Sequence, residues 1–173
     1  MFQPLFHARK GGKITILPVA LNESEYQFVT DLKAWCDTNS AQLEKDGIEL
    51  FFLRNLSSSK GVGFFEAGNF HPDFILWMLL DGKQYITFIE PHGLLHEGPA
   101  SEKVQFHKRV KEVEKRLGDT DVILNSFVLS WTQFPQLKWF DTKAQLEEKH
   151  VLFMVDDRDK YIDKLFSKLR VVG

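Results

Sequence analysis

Asp81-Gly82 constrains the fold of this chain more than any other dipeptide in it. Two apolar runs flank it, Phe74 to Leu80 and Tyr85 to Ile89. An Asp-Gly step between strand-like runs predicts a two-residue hairpin, because a type I′ turn needs positive φ at both central positions. With Leu80 and Lys83 closing the turn, paired residues have numbers that sum to a constant. Asp73 then stands opposite Glu90 and His71 opposite His92, and the alternation of side chains puts all four on one face. Carboxylates facing each other across a ladder repel. A hard divalent cation between them is the simplest remedy, since Mg²⁺ takes one or two carboxylates and completes its shell with water and substrate phosphate.

Pro72-Asp73, an apolar strand, a tight turn and Glu90-x-His92 together resemble the PD-(D/E)XK nuclease motif, with His92 where that pattern has lysine. The wider stretch runs from Phe51-Phe-Leu-Arg54-Asn55-Leu, through Gly61-Val-Gly-Phe-Phe-Glu66-Ala-Gly-Asn-Phe, to Phe88-Ile-Glu-Pro-His-Gly93. It is similar to the C-terminal endonuclease domain of type III restriction enzyme-like helicase-nuclease subunits. The resemblance implies a metal-dependent endonuclease that hydrolyses DNA with Mg²⁺, or Mn²⁺ in its place, alongside a helicase or translocase. Residues 1–173 would form one such domain, either by itself or as the C-terminal part of a longer helicase-nuclease chain, and with no Gly-x-x-x-x-Gly-Lys-Ser/Thr loop this chain alone is not the motor. In this reading Asp73 and Glu90 ligate the metal, the Pro91 carbonyl assists, Glu25 completes the shell, and His92 orients or deprotonates the water. Glu66, His71, Lys60, Lys103 and Gln105 are supporting candidates for contacts to substrate or to the ligands.

Histidine at position 92 widens the chemistry. It can act as a general base, bind metal, or carry charge near and below neutral pH. Two other readings therefore stand beside the nuclease: a nuclease-like module with reduced catalysis that binds DNA or a partner, and a small-molecule metalloenzyme holding a transition metal through His71, Asp73, Glu90 and His92.

Periodicity supplies the rest of the fold. Asn22 to about Trp35 reads as a helix, with Phe28, Val29, Leu32, Trp35 and Cys36 in one stripe. Glu25 lies on the same stripe, where it is either the N3 acid of a capping box with Asn22 or a metal-site acid facing the sheet. Lys13 to Leu21 and Ile48 to Asn55 read as strands, and Ser57 to Gly61 as a polar loop leading into a further strand, Val62 to Ala67. Both faces of Phe74 to Leu80 are apolar, which predicts a central strand covered on both sides. A helix capped at Ser101 runs to Leu117 with Phe106, Val110, Val113 and Leu117 inward. Its Lys108, Lys111 and Lys115 read as a solvated row diluted by Glu102, Glu112 and Glu114. Asp121 to Trp131 is a strand, followed by an aromatic loop, Trp131 to Phe140, suited to stacking on bases, docking a partner or covering the sheet edge. Asp141 caps a short helix to Lys149, His150 to Val155 is the last strand, and Asp156 opens the last helix. This order predicts an α/β sandwich, similar to the restriction-endonuclease-like core, with a mixed central sheet flanked by helices.

Composition narrows the options further. A formal net charge of −2 gives no global basic field, so any nucleic-acid surface must be a local concentration of Lys and Arg. One cysteine, Cys36, leaves no internal disulfide and no cysteine zinc site. No apolar run is long enough to suggest a membrane span, and the first residues lack the layout of a secretory signal, so a cytoplasmic location is expected.

Overall fold

The computed structural model describes residues 21–55, 63 and 70–170. Nearly all of the Lys13 to Leu21 strand, the Ser57 to Gly61 loop, the Val62 to Ala67 strand but for Gly63, and the candidates Lys60 and Glu66 lie outside them. The elements are α1 (Glu23–Lys45), β1 (Glu49–Arg54), β2 (Phe74–Leu80), β3 (Lys83–His92), α2 (Glu102–Leu117), β4 (Val122–Ser130), α3 (Lys143–Glu148), β5 (Val151–Phe153) and α4 (Tyr161–Arg170), with a short 3-10 turn at Phe134–Gln136. The strands form one five-stranded sheet in the order β1-β2-β3-β4-β5. β1, β2 and β3 are antiparallel neighbours, and β4 and β5 join parallel to β3. The mixed α/β sandwich predicted from element order is the observed architecture.

The hairpin sets the register. Asp81 and Gly82 have φ of 51° and 77°, and Leu80 pairs with Lys83. The ladder continues to Phe74 opposite Ile89, so the next pair outward is Asp73 and Glu90.

Alternation then sorts the sheet's faces. Phe74, Leu76 and Met78 of β2, Tyr85 and Ile89 of β3, and Ile123, Phe127 and Leu129 of β4 meet Phe28 and Leu32 of α1 and Tyr161, Ile162, Leu165, Phe166 and Leu169 of α4. On the other face Phe88 and Leu124 meet Phe106 and Val110 of α2, and Val128, Val151 and Phe153 meet Val104 and Leu146. Complete burial of a Phe or Leu stabilises by roughly 1.5–3 kcal/mol, so these two layers dominate the stability of the domain.

Several expectations need correction. α1 does not stop near Trp35 but runs to Lys45, because Leu43 anchors its far end and i,i+4 pairs such as Lys33–Asp37 occupy the exposed side; these polar positions carry no hydrophobic period. β2 is covered fully on one face only: Ile75, Trp77 and Leu79 are half-buried among the described residues, next to β1 residues Phe51 (40% exposed) and Leu53 (48%). Leu117 is 55% exposed rather than inward, since α2 closes there at Gly118, whose φ is 67°. The cap of α3 is Thr142, whose side chain accepts from the Gln145 N–H, while Asp141 pairs with Lys149. Asp156 lies in a turn before α4 and accepts the Phe134 N–H. In the aromatic loop Phe134, Leu137 and Trp139 cover the edge of the sheet and only Phe140 projects fully into solvent. Cys36 packs half-buried against the core, and burial pushes its thiol up to about 11. No helix among the described residues is long and apolar enough to cross a membrane.

Candidate functional site

Three acids converge where β2 begins and β3 ends. The Asp73 N–H donates to Glu90 Oε2 at 3.2 Å, and the two carboxyl groups also contact each other through their side chains. β1 holds this end of β2 in place: Asn55 N–H donates to the Asp73 carbonyl at 2.8 Å, and Asn55 Nδ2 donates to the Pro72 carbonyl at 2.8 Å. Glu25 reaches the same region from α1, close enough to act electrostatically on Asp73.

The capping box predicted for Glu25 is present. Its Oε2 accepts the Asn22 N–H at 2.9 Å, and Asn22 Oδ1 accepts the Glu25 N–H at 2.9 Å. Capping and facing the sheet are thus one arrangement, because N3 of α1 points at the end of β3. The neighbouring Ser24 hydroxyl donates to the Pro91 carbonyl at 3.2 Å, so that carbonyl also turns toward the start of α1.

The three acids differ in their partners. Glu25 is paired with Arg54 at 3.1 Å, and Glu90, whose side chain is 7% exposed, with Lys103 at 2.8 Å. Asp73 has no ion pair among the described residues. Burial first, then the negative charges of Glu90 and Glu25 and the hydrogen bond to Glu90, raise its carboxyl to about 8, against which the more distant Lys103 is insufficient. At neutral pH Asp73 therefore keeps its proton.

Lys103 reaches back from the first turn of α2. Its ammonium also lies 3.2 Å from His92 Nε2, which is 3.3 Å from Glu97 Oε1. Lys103 can only donate and the Glu97 carboxylate can only accept, so Nε2 stands between a neighbour that favours a lone pair there and one that favours hydrogen. His92 is the accessible member of the group and faces outward from the strand end.

Other candidates fall elsewhere. The His71 ring packs against the main chain at Gly63, where any side chain would collide with it, and its Nδ1 is buried without a hydrogen-bond partner among the described residues. The described residues supply no hydrogen bond or ion pair from His71 to Asp73, Glu90 or His92. β2 pairing stops at Phe74, so the register that would put His71 opposite His92 does not extend that far. Gln105 donates to the Pro99 carbonyl on the exposed side of α2.

Sequence reasoning missed Arg54, Ser24, Asn55 and Glu97. For Arg54 and Asn55 a signal existed. Had β1 been paired with β2, the antiparallel register would have set Arg54 opposite Phe74 and Asn55 beside Asp73.

The donor set suits a hard divalent ion. It offers carboxylate oxygens from Asp73 and Glu90, in contact with each other, and the main-chain carbonyl of the next residue, Pro91. Among the described residues no group of three or more His, Cys, Asp or Glu side chains is arranged to hold a metal ion. Mg²⁺ does not need one, because it keeps several waters. No family model matches this chain, and no curated protein matches it.

Proposed function

We propose that this chain is a metal-dependent endonuclease that hydrolyses DNA phosphodiester bonds, of the PD-(D/E)XK kind, acting with a helicase or translocase. The observation that carries the reading is the Asp73–Glu90 contact: a half-buried and a buried carboxyl brought together across a hairpin, the first with no ion pair among the described residues, with a lysine ammonium alongside. Such a pair is costly to keep without a ligand that uses it.

Asp73, Glu90 and the Pro91 carbonyl would hold the ion, with Glu25 on its flank. A bound Mg²⁺ or Mn²⁺ supplies Lewis acidity at the phosphoryl oxygen and a lowered pKa for the attacking water. His92 would take the proton from that water, when its Nε2 carries the lone pair, as the water oxygen bonds to phosphorus and the P–O bond to the leaving oxygen breaks. Lys103 brings to this spot the permanent cation that the motif's lysine would have supplied from position 92, and it balances charge on the phosphate. Arg54 holds Glu25 in its rotamer.

A second reading, a metal-free binding module for DNA or a partner, has one observation in its favour. Lys103 already neutralises Glu90, so the acid cluster is partly compensated without any ion. Cleavage of supercoiled plasmid and linear duplex with Mg²⁺, Mn²⁺ or EDTA separates the two. Metal-dependent cutting that disappears in Asp73→Ala and Glu90→Ala supports the nuclease. DNA binding that is unchanged by EDTA and by both substitutions, with no cutting in any metal, rejects it for the binding module.

A further inference from the structure

A second group of titratable side chains lies at the outer edge of β4, apart from the acids. β5 pairs only with Val128–Ser130, which leaves the earlier part of β4 without a strand neighbour on that side among the described residues. His150 occupies this step. Its φ is 60°, a left-handed conformation that a non-glycine residue adopts at a cost. It is held there by its Nδ1, 2.9 Å from the Ser126 carbonyl, and by stacking on Phe127 at 4.4 Å. His107 of α2 faces it, ring centroids 5.6 Å apart, with its own Nδ1 2.7 Å from the Val104 carbonyl. A carbonyl only accepts, so both rings carry hydrogen on Nδ1 and keep Nε2 for another partner.

Lysines from three elements surround the pair. Lys108 and Lys149 act on His107, and Lys111 and Lys168 act on His150. Two acids enter the group: Glu114, which binds Lys111, and Asp141, which binds Lys149. Lys108 and Lys168 have no ion pair among the described residues. Of the α2 acids expected to dilute the lysines, Glu102 is turned to Arg109, while Glu114 binds Lys111 and also accepts the Leu124 N–H. Lys103, His107 and Lys111 follow one another at four-residue steps, about 6 Å each along the helix axis, so one row leads from the acid pair to this cluster.

We propose that the cluster of His107, Lys108, Lys111, Lys149, His150 and Lys168 binds phosphate groups of a nucleic-acid strand and, with Lys103, sets the strand's path away from the Asp73–Glu90 site. The naming of nucleic acid rests on the nuclease reading; the anion site itself rests on the cluster. An arriving phosphate supplies the negative charge that the lysines lack, and it favours protonation of both rings, which then donate from Nε2. Binding is accordingly coupled to proton uptake and tighter at pH 6 than at pH 8, by at least about threefold.

Histidine ring spectra of the full chain in EDTA, titrated with inorganic phosphate or with a short oligodeoxynucleotide, test this without any cleavage step. The oligonucleotide is expected to move the His107 and His150 signals, with affinity falling roughly tenfold in Lys108→Glu and in Lys168→Glu and the salt dependence flattening by about one counterion each. Oligonucleotide binding that leaves both rings unmoved overturns the proposal. So does inorganic phosphate that moves them as strongly at equal phosphate concentration, which would make this a free-anion site. Ring shifts in a protein that never cuts DNA count against the nuclease reading alone; cutting without ring shifts counts against the strand path alone.

Discussion

The acid pair at the end of β3 and the histidine pair at the edge of β4 reach neutrality from opposite directions. Asp73 is raised to about 8 by burial and by neighbouring carboxylates, so it holds a proton it would ordinarily lose. His150 is lowered to about 4 by burial and by His107, Lys168 and Lys111, so it lacks a proton it could ordinarily take. Each is also fixed by backbone: the hairpin register sets Asp73 against Glu90, and a left-handed turn sets His150 against His107.

The largest expected effect breaks the acid site. Glu90→Gln and Asp73→Asn should each reduce Mg²⁺-dependent plasmid cleavage to background while far-ultraviolet dichroism stays native. His92→Ala should cost about 10²- to 10⁴-fold if the imidazole is the base, and His92→Lys should restore part of the rate with an altered acid limb in the pH profile. An unchanged rate in His92→Ala would remove that residue from the chemistry.

Stability against pH sharpens the contrast, because the two sites have opposite signs. Folded Asp73 keeps its proton between pH 3.8 and about 8 while the unfolded chain loses it, so metal-free protein loses stability as pH rises through that window. Asp73→Asn should remove this slope and stabilise the metal-free chain at pH 8 by about 2–4 kcal/mol, after a discount for partial exposure. Folded His150 stays neutral between pH 6.5 and about 4 while the unfolded chain takes up a proton, so stability falls as pH drops through that window. His150→Gln should flatten the acid side by about 2 kcal/mol. Denaturant titrations at several pH values, in EDTA, read both slopes.

The smallest effect is expected at Glu97. Its partly exposed pair with His92 contributes at most about 1 kcal/mol. Glu97→Gln should move the acid limb of activity by less than about one pH unit, and a larger shift would give Glu97 a part in holding His92.

Much of the fold was legible in the sequence because short-range rules govern it. Asp81-Gly82 dictated the turn, the turn dictated the register, and strand alternation divided Phe74 to Leu80 into two apolar sets, of which the packing turned Phe74, Leu76 and Met78 to α1. The second half of α1 was not legible, since a solvated helix leaves no hydrophobic period, nor was the end of the ladder at Phe74 that detaches His71 from His92.

By itself, then, the sequence determined the hairpin, the opposition of Asp73 to Glu90, the capping box at Asn22 and the alternation of helices and strands, all set by turn chemistry and by the two periods of helix and strand. Tertiary structure alone decided which cations reach which acids. Arg54 lies 29 residues from Glu25, and Lys103 comes to Glu90 from a different element. It alone brought His107 to His150. Such pairings depend on how packed layers orient side chains distant in sequence, and local pattern does not encode that.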